Sequence, residues 1–517
     1  MYLATAAQMK ELDRVAVEKR GMASLTLMEN AARAVVRAVK ELAGEPKDRR
    51  RRAVFFCGAG NNGGDGIAAA YLLMDAGWEV RAVLLGKRYK LTDDAQEMER
   101  RLEKRGGKLE DFPSGNAEFA TWCLGADVMV DALYGIGLNT TMEGDALLAV
   151  HMMNTCSIPV VSVDLASGVE ADTGRVLGAA VDAAVTVTFT LPKPGHYVGK
   201  GGLHCGKLVV ADIGIPADLV NAMDCPVRTI ERRDIRLPRR PLDAHKGNFG
   251  KAYIVGGSMG MSGAPVMAAQ AAVRTGAGMV TAGVPLQVWP IAAAKLDEAM
   301  AQPLPAGKEG MLELGAAITV LERLNQYSVC LIGPGLGHTN AVYAVVRHIV
   351  ADTKLPVVLD ADGINALDGH IDVLDRRGGM CTILTPHDGE FERMGGDLSS
   401  GDRLKAVRDF AVEHTCCVML KGHRTITAFP DGTAYVNTNG NPGMAKGGSG
   451  DVLAGILVAL LAQGFTPREA APMAAWLHGC AGDLCAEELG EYGMLPTDII
   501  RKLPEVMKSV EEHGRCV

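Results

Sequence analysis

Asp451 closes the string Asn441-Pro442-Gly443-Met444-Ala445-Lys446-Gly447-Gly448-Ser449-Gly450-Asp451, and the apolar helical run Val452–Leu461 follows at once. The small residues Gly447, Gly448, Ser449 and Gly450 let successive N–H groups point into one pocket at a helix start. That is an anion hole suited to a transferring phosphoryl group, with Asp451 placed as a base beside a substrate hydroxyl. Capping alone does not account for so much glycine. A Walker loop is excluded, because no G-x-x-x-x-G-K-[ST] occurs. Nearer the amino terminus, Gly58-Ala59-Gly60-Asn61-Asn62-Gly63-Gly64-Asp65-Gly66 holds a G-x-G-x-x-G that can bring amides against phosphate. Asn61, Asn62 and Asp65 add side-chain oxygens that a simple phosphate cradle does not need. Asp131 and Asp164 each end an apolar run, and each alone also fits a turn or a helix cap. Taken together, Asn62, Asp131 and Ser167 offer hard oxygen ligands around a cation, which leaves Asp164 for proton transfer.

These residues need a scaffold that gathers strand ends. Short Val/Ile/Leu runs at Ala53–Cys57, Val80–Leu85, Asp127–Val130 and Val160–Val163 are each followed by a helical pattern, the rhythm of βα units in a parallel sheet. The rhythm restarts at Lys251–Val255 and continues at Ser328–Ile332, Pro356–Leu359, Cys381–Leu384 and Cys416–Leu420. Between them, Asp224–Asp243 is rich in Pro and Arg and reads as a linker. The expected domains are residues 1–220, a linker over 221–243 and residues 244–517, without internal repeats. In open parallel sheets ligands bind beyond the carboxyl ends of the strands. Gly333-Pro334-Gly335-Leu336-Gly337, Asp360-Ala361-Asp362, Thr385-Pro386-His387-Asp388-Gly389-Glu390 and Lys421-Gly422-His423-Arg424-Thr425 should therefore line one edge. After Val80–Leu85 comes Gly86-Lys87-Arg88, with no acid to hold a dinucleotide ribose, which disfavours an ordinary dehydrogenase.

A length of 517 residues suits two to four domains, and 48% apolar with 22% charged residues excludes disordered and fibrous classes. A net charge of −8 offers no broad attraction to nucleic acid or anionic membrane. The 12 cysteines are scattered with no C-x-x-C, as expected of reduced thiols in a cytoplasmic protein. Met1–Asn30 reads as an amphipathic helix rather than a signal peptide, and no apolar run is long enough to span a membrane. His478, Cys480 and Cys485 sit in an apolar context and read as core rather than as a metal cluster.

Gly60–Gly66, Asp131-Ala132-Leu133-Tyr134-Gly135-Ile136-Gly137 and Asp164-Leu165-Ala166-Ser167-Gly168, followed by Ala171-Asp172-Thr173-Gly174, resemble the NAD(P)H-hydrate epimerase domain across residues 1–220. The resemblance implies potassium on Asn62, Asp131 and Ser167. It places the hydrated dinucleotide against Asn61, Asn62, Gly63, Gly64 and Asp65, against Gly135, Ile136, Gly137, Leu138, Asn139, Thr140 and Thr141, and against Asp164. The family commonly has Pro where this chain has Ala166. Residues 244–517, through Lys246-Gly247-Asn248-Phe249-Gly250, Ser262-Gly263-Ala264 and the strand-end strings above, are similar to ADP- or ATP-dependent NAD(P)H-hydrate dehydratases, relatives of ribokinase-like kinases. That implies substrate contacts at Ala264, Gly335, His387 and Asp451, and nucleotide on Lys421, Gly422, His423, Arg424, Thr425 and Gly450. Glu390 is a candidate partner of Mg²⁺.

The implied fold is a three-layer Rossmann-like α/β domain followed by a ribokinase-like α/β domain. The implied enzyme repairs hydrated NADH and NADPH. It interconverts the R and S epimers at nicotinamide C6, then dehydrates the S form with ADP as co-substrate and Mg²⁺, releasing AMP and phosphate. ADP against ATP, NADH against NADPH hydrate, and the epimerisation intermediate stay open. A homo-oligomer without nucleic-acid or membrane partners is expected. The rival reading is a small-molecule (vitamin-precursor) kinase fused to a non-catalytic Rossmann-like binding module.

Overall fold

The structure, a computed structural model, describes residues 1–44 and 49–513. They cluster into two compact units, Met1–Cys225 with Gly401–Arg403, and Pro226–Ser400 with Leu404–Val517.

The first unit is built on seven strands: β1 (Arg52–Gly58), β2 (Glu79–Leu85), β3 (Leu109–Asp111), β4 (Val128–Ala132), β5 (Val160–Val163), β6 (Val185–Phe189) and β7 (Lys207–Ala211). Their order is β3-β2-β1-β4-β5-β6-β7, and every pairing is parallel. Side chains alternate across a strand, and both faces of this sheet are covered. Phe55 and Cys57 pack with helices Ala6–Glu18, Ser24–Ala43 and Asn61–Asp75, whereas Val54 and Phe56 pack with Ala117–Leu124 and Gly144–Thr155. This is the expected three-layer arrangement. The strand order reverses between β1 and β4, so the loops after Gly58 and Ala132 flank the crevice in which open parallel sheets bind ligands.

The single helix expected over Met1–Asn30 is two helices. Thr5 and Gln8 form a capping box that starts the first at Ala6; it stops at Glu18, and Gly21 turns the chain at φ 68° before Ser24 begins the second.

The second unit holds ten strands: β8 (Val227–Thr229), β9 (Lys251–Val255), β10 (Met279–Pro285), β11 (Met300–Leu304), β12 (Val329–Ile332), β13 (Val357–Leu359), β14 (Thr382–Leu384), β15 (Cys417–Leu420), β16 (Ile426–Ala428) and β17 (Ala434–Val436). The order is β11-β10-β9-β12-β13-β14-β15-β16-β17-β8, parallel except where β16 runs against β15 and β17. Ala252 and Ile254 of β9 pack against helices Gly263–Arg274, Ser449–Ala462, Pro467–Gly493 and Pro496–His513. Helix Ser449–Ala462 is apolar all round and almost wholly buried, as a central helix must be. The segment read as a linker does more than connect: Val227–Thr229 pairs with β17, and Ile230 and Ile235 join the second core. Among the described residues, no helix is long and apolar enough to cross a membrane.

Candidate active sites

In the first unit the strand-end loops enclose a cavity of about 910 Å³, lined among others by Asn61, Asn62, Asp65, Gly135, Asp164 and Lys193. Asp164 follows β5 directly and takes a left-handed backbone, φ 65°, a conformation that costs a non-glycine residue about 1–3 kcal/mol. Its surroundings over-determine it. The Asp164 N–H donates to the Val187 carbonyl at 2.7 Å, and its Oδ1 accepts from Thr188 Oγ1 at 3.0 Å and from Lys193 Nζ at 2.5 Å. Lys193 is 1% exposed and also donates to Thr188 Oγ1 at 2.8 Å. Burial alone would raise the Asp164 pKa, but the Lys193 ammonium and these hydrogen bonds overcome it and hold the carboxyl below its ordinary value.

His196 completes the support. Its Nδ1 accepts from the Lys193 N–H at 2.9 Å, so the neutral ring carries its proton on Nε2, which donates to the Asp164 carbonyl at 2.8 Å. Burial, then the nearby Lys193 charge, lowers this imidazole to about 4. Close packing leaves no room beside the pair: a Cβ on Gly135 would stand 2.8 Å from Asp164 Oδ2 and 3.1 Å from Asn62 Oδ1.

Asp131, fully buried, accepts from Ser167 Oγ at 2.6 Å, Ser167 N–H at 2.8 Å, Ser162 Oγ at 2.8 Å and Leu133 N–H at 3.3 Å. All of these donors are neutral, and burial raises the pKa of this carboxyl despite them. The buried Nδ2 of Asn62 has no hydrogen-bond partner among the described residues. Asp65 is pushed well up by burial and by the neighbouring Asp164, and Asp13 is pushed up to about 6 by burial, with Lys193 opposing. Gly63 and Gly64 lie buried beneath the turn; Ile136, Gly137 and Leu138 line the cavity, and Asn139, Thr140 and Thr141 are exposed outside its lining.

In the second unit Asp451 is the third residue of helix Ser449–Ala462, entered through Gly448 at φ 101°. No described hydrogen bond is donated by the N–H groups of Gly447, Gly448 or Gly450, whereas that of Ser449 goes to the Lys446 carbonyl at 3.2 Å. Lys446 turns away, its Nζ donating to the carbonyls of Tyr492 and Met494 at 2.8 and 2.5 Å, so it shapes the loop. Lys421 Nζ donates to Asp360 Oδ1 at 2.7 Å and lies 3.8 Å from Glu390 Oε2; Thr385 Oγ1 donates to the same Asp360 oxygen at 2.7 Å. A Cβ on Gly450 would sit 3.3 Å from Lys421 Nζ, which brings the helix start against this group. Burial, reinforced by Asp360 and opposed by Lys421, pushes Asp451 up to about 7.

Other expected residues gather around it. Gly335 touches Ala264, the Cβ-to-Cβ approach being 3.1 Å if Gly335 carried one. His387 is half of a capping box with Glu390: its N–H donates to Glu390 Oε2 at 2.9 Å and its Nδ1 accepts from the Glu390 N–H at 3.2 Å. Gly422 and His423 are exposed in the turn between β15 and β16, Arg424 donates to the Thr438 carbonyl, and the Thr425 carbonyl accepts from Asn437 N–H at 2.9 Å. His478 is buried, as its apolar context suggested, with Nε2 3.4 Å from Ser449 Oγ; burial lowers it to about 4. Among the described residues no group of three or more His, Cys, Asp or Glu side chains could hold a metal ion, and the described cysteines form no disulfide with one another.

Sequence reading missed Lys193, Thr188, His196 and Asp13. The first three follow or end the apolar run Val185–Phe189, where the strand-end rule points. Asp13 has no local signal, because only folding brings its helix to the cavity.

A family profile described as NAD(P)H-hydrate dehydratase matches residues 252–505, and one described as YjeF-related protein N-terminus matches residues 24–195. A bifunctional NAD(P)H-hydrate repair enzyme from Moorella thermoacetica is 42% identical over 526 residues, covering 100% of this chain and 98% of that one. Its counterpart from Thermofilum pendens is 36% identical, with 100% and 98% covered. A solved ADP/ATP-dependent NAD(P)H-hydrate dehydratase from Bacillus subtilis, co-crystallised with ATP and Mg²⁺, is 31% identical, covers 55% of this chain and 99% of that one, and superposes with a TM-score of 0.47.

Proposed function

The chain belongs to the bifunctional NAD(P)H-hydrate repair enzymes, and from that premise we propose how its two units divide the work. The epimerase is assigned to residues 1–220 and the ADP-dependent dehydratase to residues 244–517, with 221–243 joining them and supplying β8. A kinase fused to a non-catalytic module is not favoured, since repair enzymes match along the whole chain.

In the dehydratase, hydroxide is a poor leaving group from C6 and phosphate a good one. Asp451 takes the proton of the S-hydrate hydroxyl as it attacks the terminal phosphoryl group of ADP. The amides of Gly447, Gly448 and Gly450 hold the charge on that group, that of Ser449, expected beside them, being spent on the Lys446 carbonyl, and Lys421 neutralises the oxygens beside Asp360. Phosphate then leaves with the C6–O electron pair, loss of the C5 proton turns the C5–H pair into the C5=C6 bond of the reduced ring, and AMP remains. Substrate rests on Ala264, Gly335 and His387, and the nucleotide on Lys421 to Thr425 and Gly450. Mg²⁺, which would neutralise phosphate oxygens, fits as a phosphate-borne ion, since the described residues offer Asp360 and Glu390 but no dedicated cage.

In the epimerase, Asp164 is the ionised group that accepts a proton from the hydrate, held in place by Lys193, Thr188 and His196. A potassium ion suits Asn62, Asp131 and Ser167. Asp131 is a buried carboxylate whose described hydrogen-bond donors are all neutral, and a monovalent cation would supply the missing charge and help position the ligand. A cytoplasmic homo-oligomer acting on both hydrates completes the proposal.

One juxtaposition carries this reading: a carboxyl raised to about 7 at the mouth of a glycine-rich helix start, against the Lys421–Asp360 pair. The test mixes purified protein, hydrated NADH and ADP or ATP in turn, and follows recovery of reduced-ring absorbance. Asp451→Asn should abolish recovery and spare epimerisation; loss of both, or neither, would overturn the two-site assignment.

A further inference from the structure

Resting on the epimerase reading of the first unit, we propose that Asp13 is the proton donor that works with Asp164 in opening and reclosing the hydrated ring. Met9, Asp13 and Val17, four residues apart on helix Ala6–Glu18, all line the cavity, while Leu12 and Ala16 are buried. The helix is fixed there by its start. Ala6 N–H donates to Asp172 Oδ1 at 2.7 Å, and Ala4 N–H donates to the Pro192 carbonyl at 3.0 Å, one residue before Lys193. Asp13 therefore shares one cavity with Asp164 and Lys193, brought by an element remote from both in sequence. Its helix neighbour Arg14, also in the lining, is occupied by Glu11 and Glu18.

The environments of the two carboxyls differ in kind. Asp164 has a bonded ammonium and is held ionised, whereas Asp13 has no described ion pair, and burial raises it to about 6. Carboxyls driven apart in this way mark a base and an acid in one site. Asp65 lines the same cavity from the glycine-rich start of helix Asn61–Asp75, the turn assigned to holding the dinucleotide, whereas Asp13 comes from a separate helix on which no binding residue was placed.

The hydrate is a hemiaminal: C6 carries both the ring nitrogen and the hydroxyl. On opening, Asp164 removes the hydroxyl proton, C6=O forms, and the C6–N bond breaks with its electron pair going to nitrogen, which takes the proton of Asp13. Rotation about C5–C6 presents the other face of the aldehyde. Nitrogen then re-adds and returns its proton to Asp13, while the carbonyl oxygen recovers its proton from Asp164. Both carboxyls finish as they began, and no other reactant is needed.

The test uses the full chain and the R hydrate, separating epimers by chromatography and timing S-hydrate dehydration independently. Asp13→Asn should lower epimerase kcat by at least about 100-fold with KM little changed and dehydration intact, and Asp13→Glu should restore part of the rate. In ¹⁸O-water the epimerised product should retain its original C6 oxygen. A wild-type rate in Asp13→Asn, a change in KM alone, equal damage in the Asn and Glu variants, or one ¹⁸O gained per inversion would each overturn the proposal. Asp164→Asn separates the two levels. If it is inactive while Asp13→Asn is active, only the role of Asp13 fails; if Asp164→Asn is also active, the epimerase reading itself fails.

Discussion

Both units place an aspartate beyond the carboxyl ends of parallel strands, yet they treat it in opposite ways. Asp164 is given a lysine at 2.5 Å, a threonine hydroxyl and a strained backbone, so it stays ionised in a buried place. Asp451 also has a lysine nearby, but Lys421 is bonded to Asp360, and Asp451 is left near neutrality. The same side chain is a fixed charge in one unit and a titrating group in the other. What decides is where the nearest ammonium is spent.

The sharpest break of this contrast is Asp451→Asn, which should cut ADP-dependent recovery of the reduced ring by about 10²–10⁴-fold while leaving epimer exchange at the wild-type rate. Next, Lys193→Ala leaves the buried Asp164 charge with neutral donors only and should destabilise the first unit by about 3–5 kcal/mol, read from denaturant midpoints, whereas Lys421, whose side chain is 19% exposed, lies where water can replace it, so Lys421→Ala should cost less. The pH profiles should then diverge. Asp451 must be ionised to act as a base, so dehydratase kcat/KM should fall about tenfold per unit as pH drops below about 7.

The linked stabilities have opposite signs. The raised pKa of Asp451 means that the folded state keeps a proton the unfolded state has lost, so this group's contribution weakens as pH climbs from about 4 to about 7. The lowered pKa of Asp164 contributes stability above the ordinary carboxylate range, and that stability is lost as pH falls through its folded value. Melting temperatures of the full chain and of Asp451→Asn across pH check the first statement. The smallest expected effect is Gly450→Ala. Its Cβ meets Lys421 Nζ at 3.3 Å and Asp360 Oδ2 at 4.0 Å, a contact that a shift of a few tenths of an ångström relieves, so the loss should be about 1 kcal/mol, seen chiefly as a higher KM for ADP.

Nine of the seventeen described strands are read from apolar runs, because a parallel strand buried on both faces is a continuous stretch of Val, Ile and Leu. The run Val160–Val163 is β5 to the residue, and the glycine strings fall at strand ends. The buried strands Val185–Phe189 and Met279–Pro285 carry the same signal but are not among those nine, whereas other features have a physical reason for escaping notice. Val227–Thr229 is a three-residue edge strand behind Pro226, too short to show a period against an arginine-rich background. The break at Gly21 looks like one more residue of an amphipathic stretch until its positive φ is seen. The partners of Asp164 include a lysine and a histidine whose types suit a surface loop equally well. Their meaning comes from burial, which is a property of the whole unit.

β8 has a practical consequence for anyone who takes the chain apart. A fragment cut to begin at residue 244 would lack the strand that covers β17, exposing a row of unpaired main-chain groups at the end of a ten-stranded sheet. Bare edges of that kind invite association with other chains. A soluble free-standing second half should therefore start ahead of Pro226, and a shorter one should self-associate in a sedimentation run.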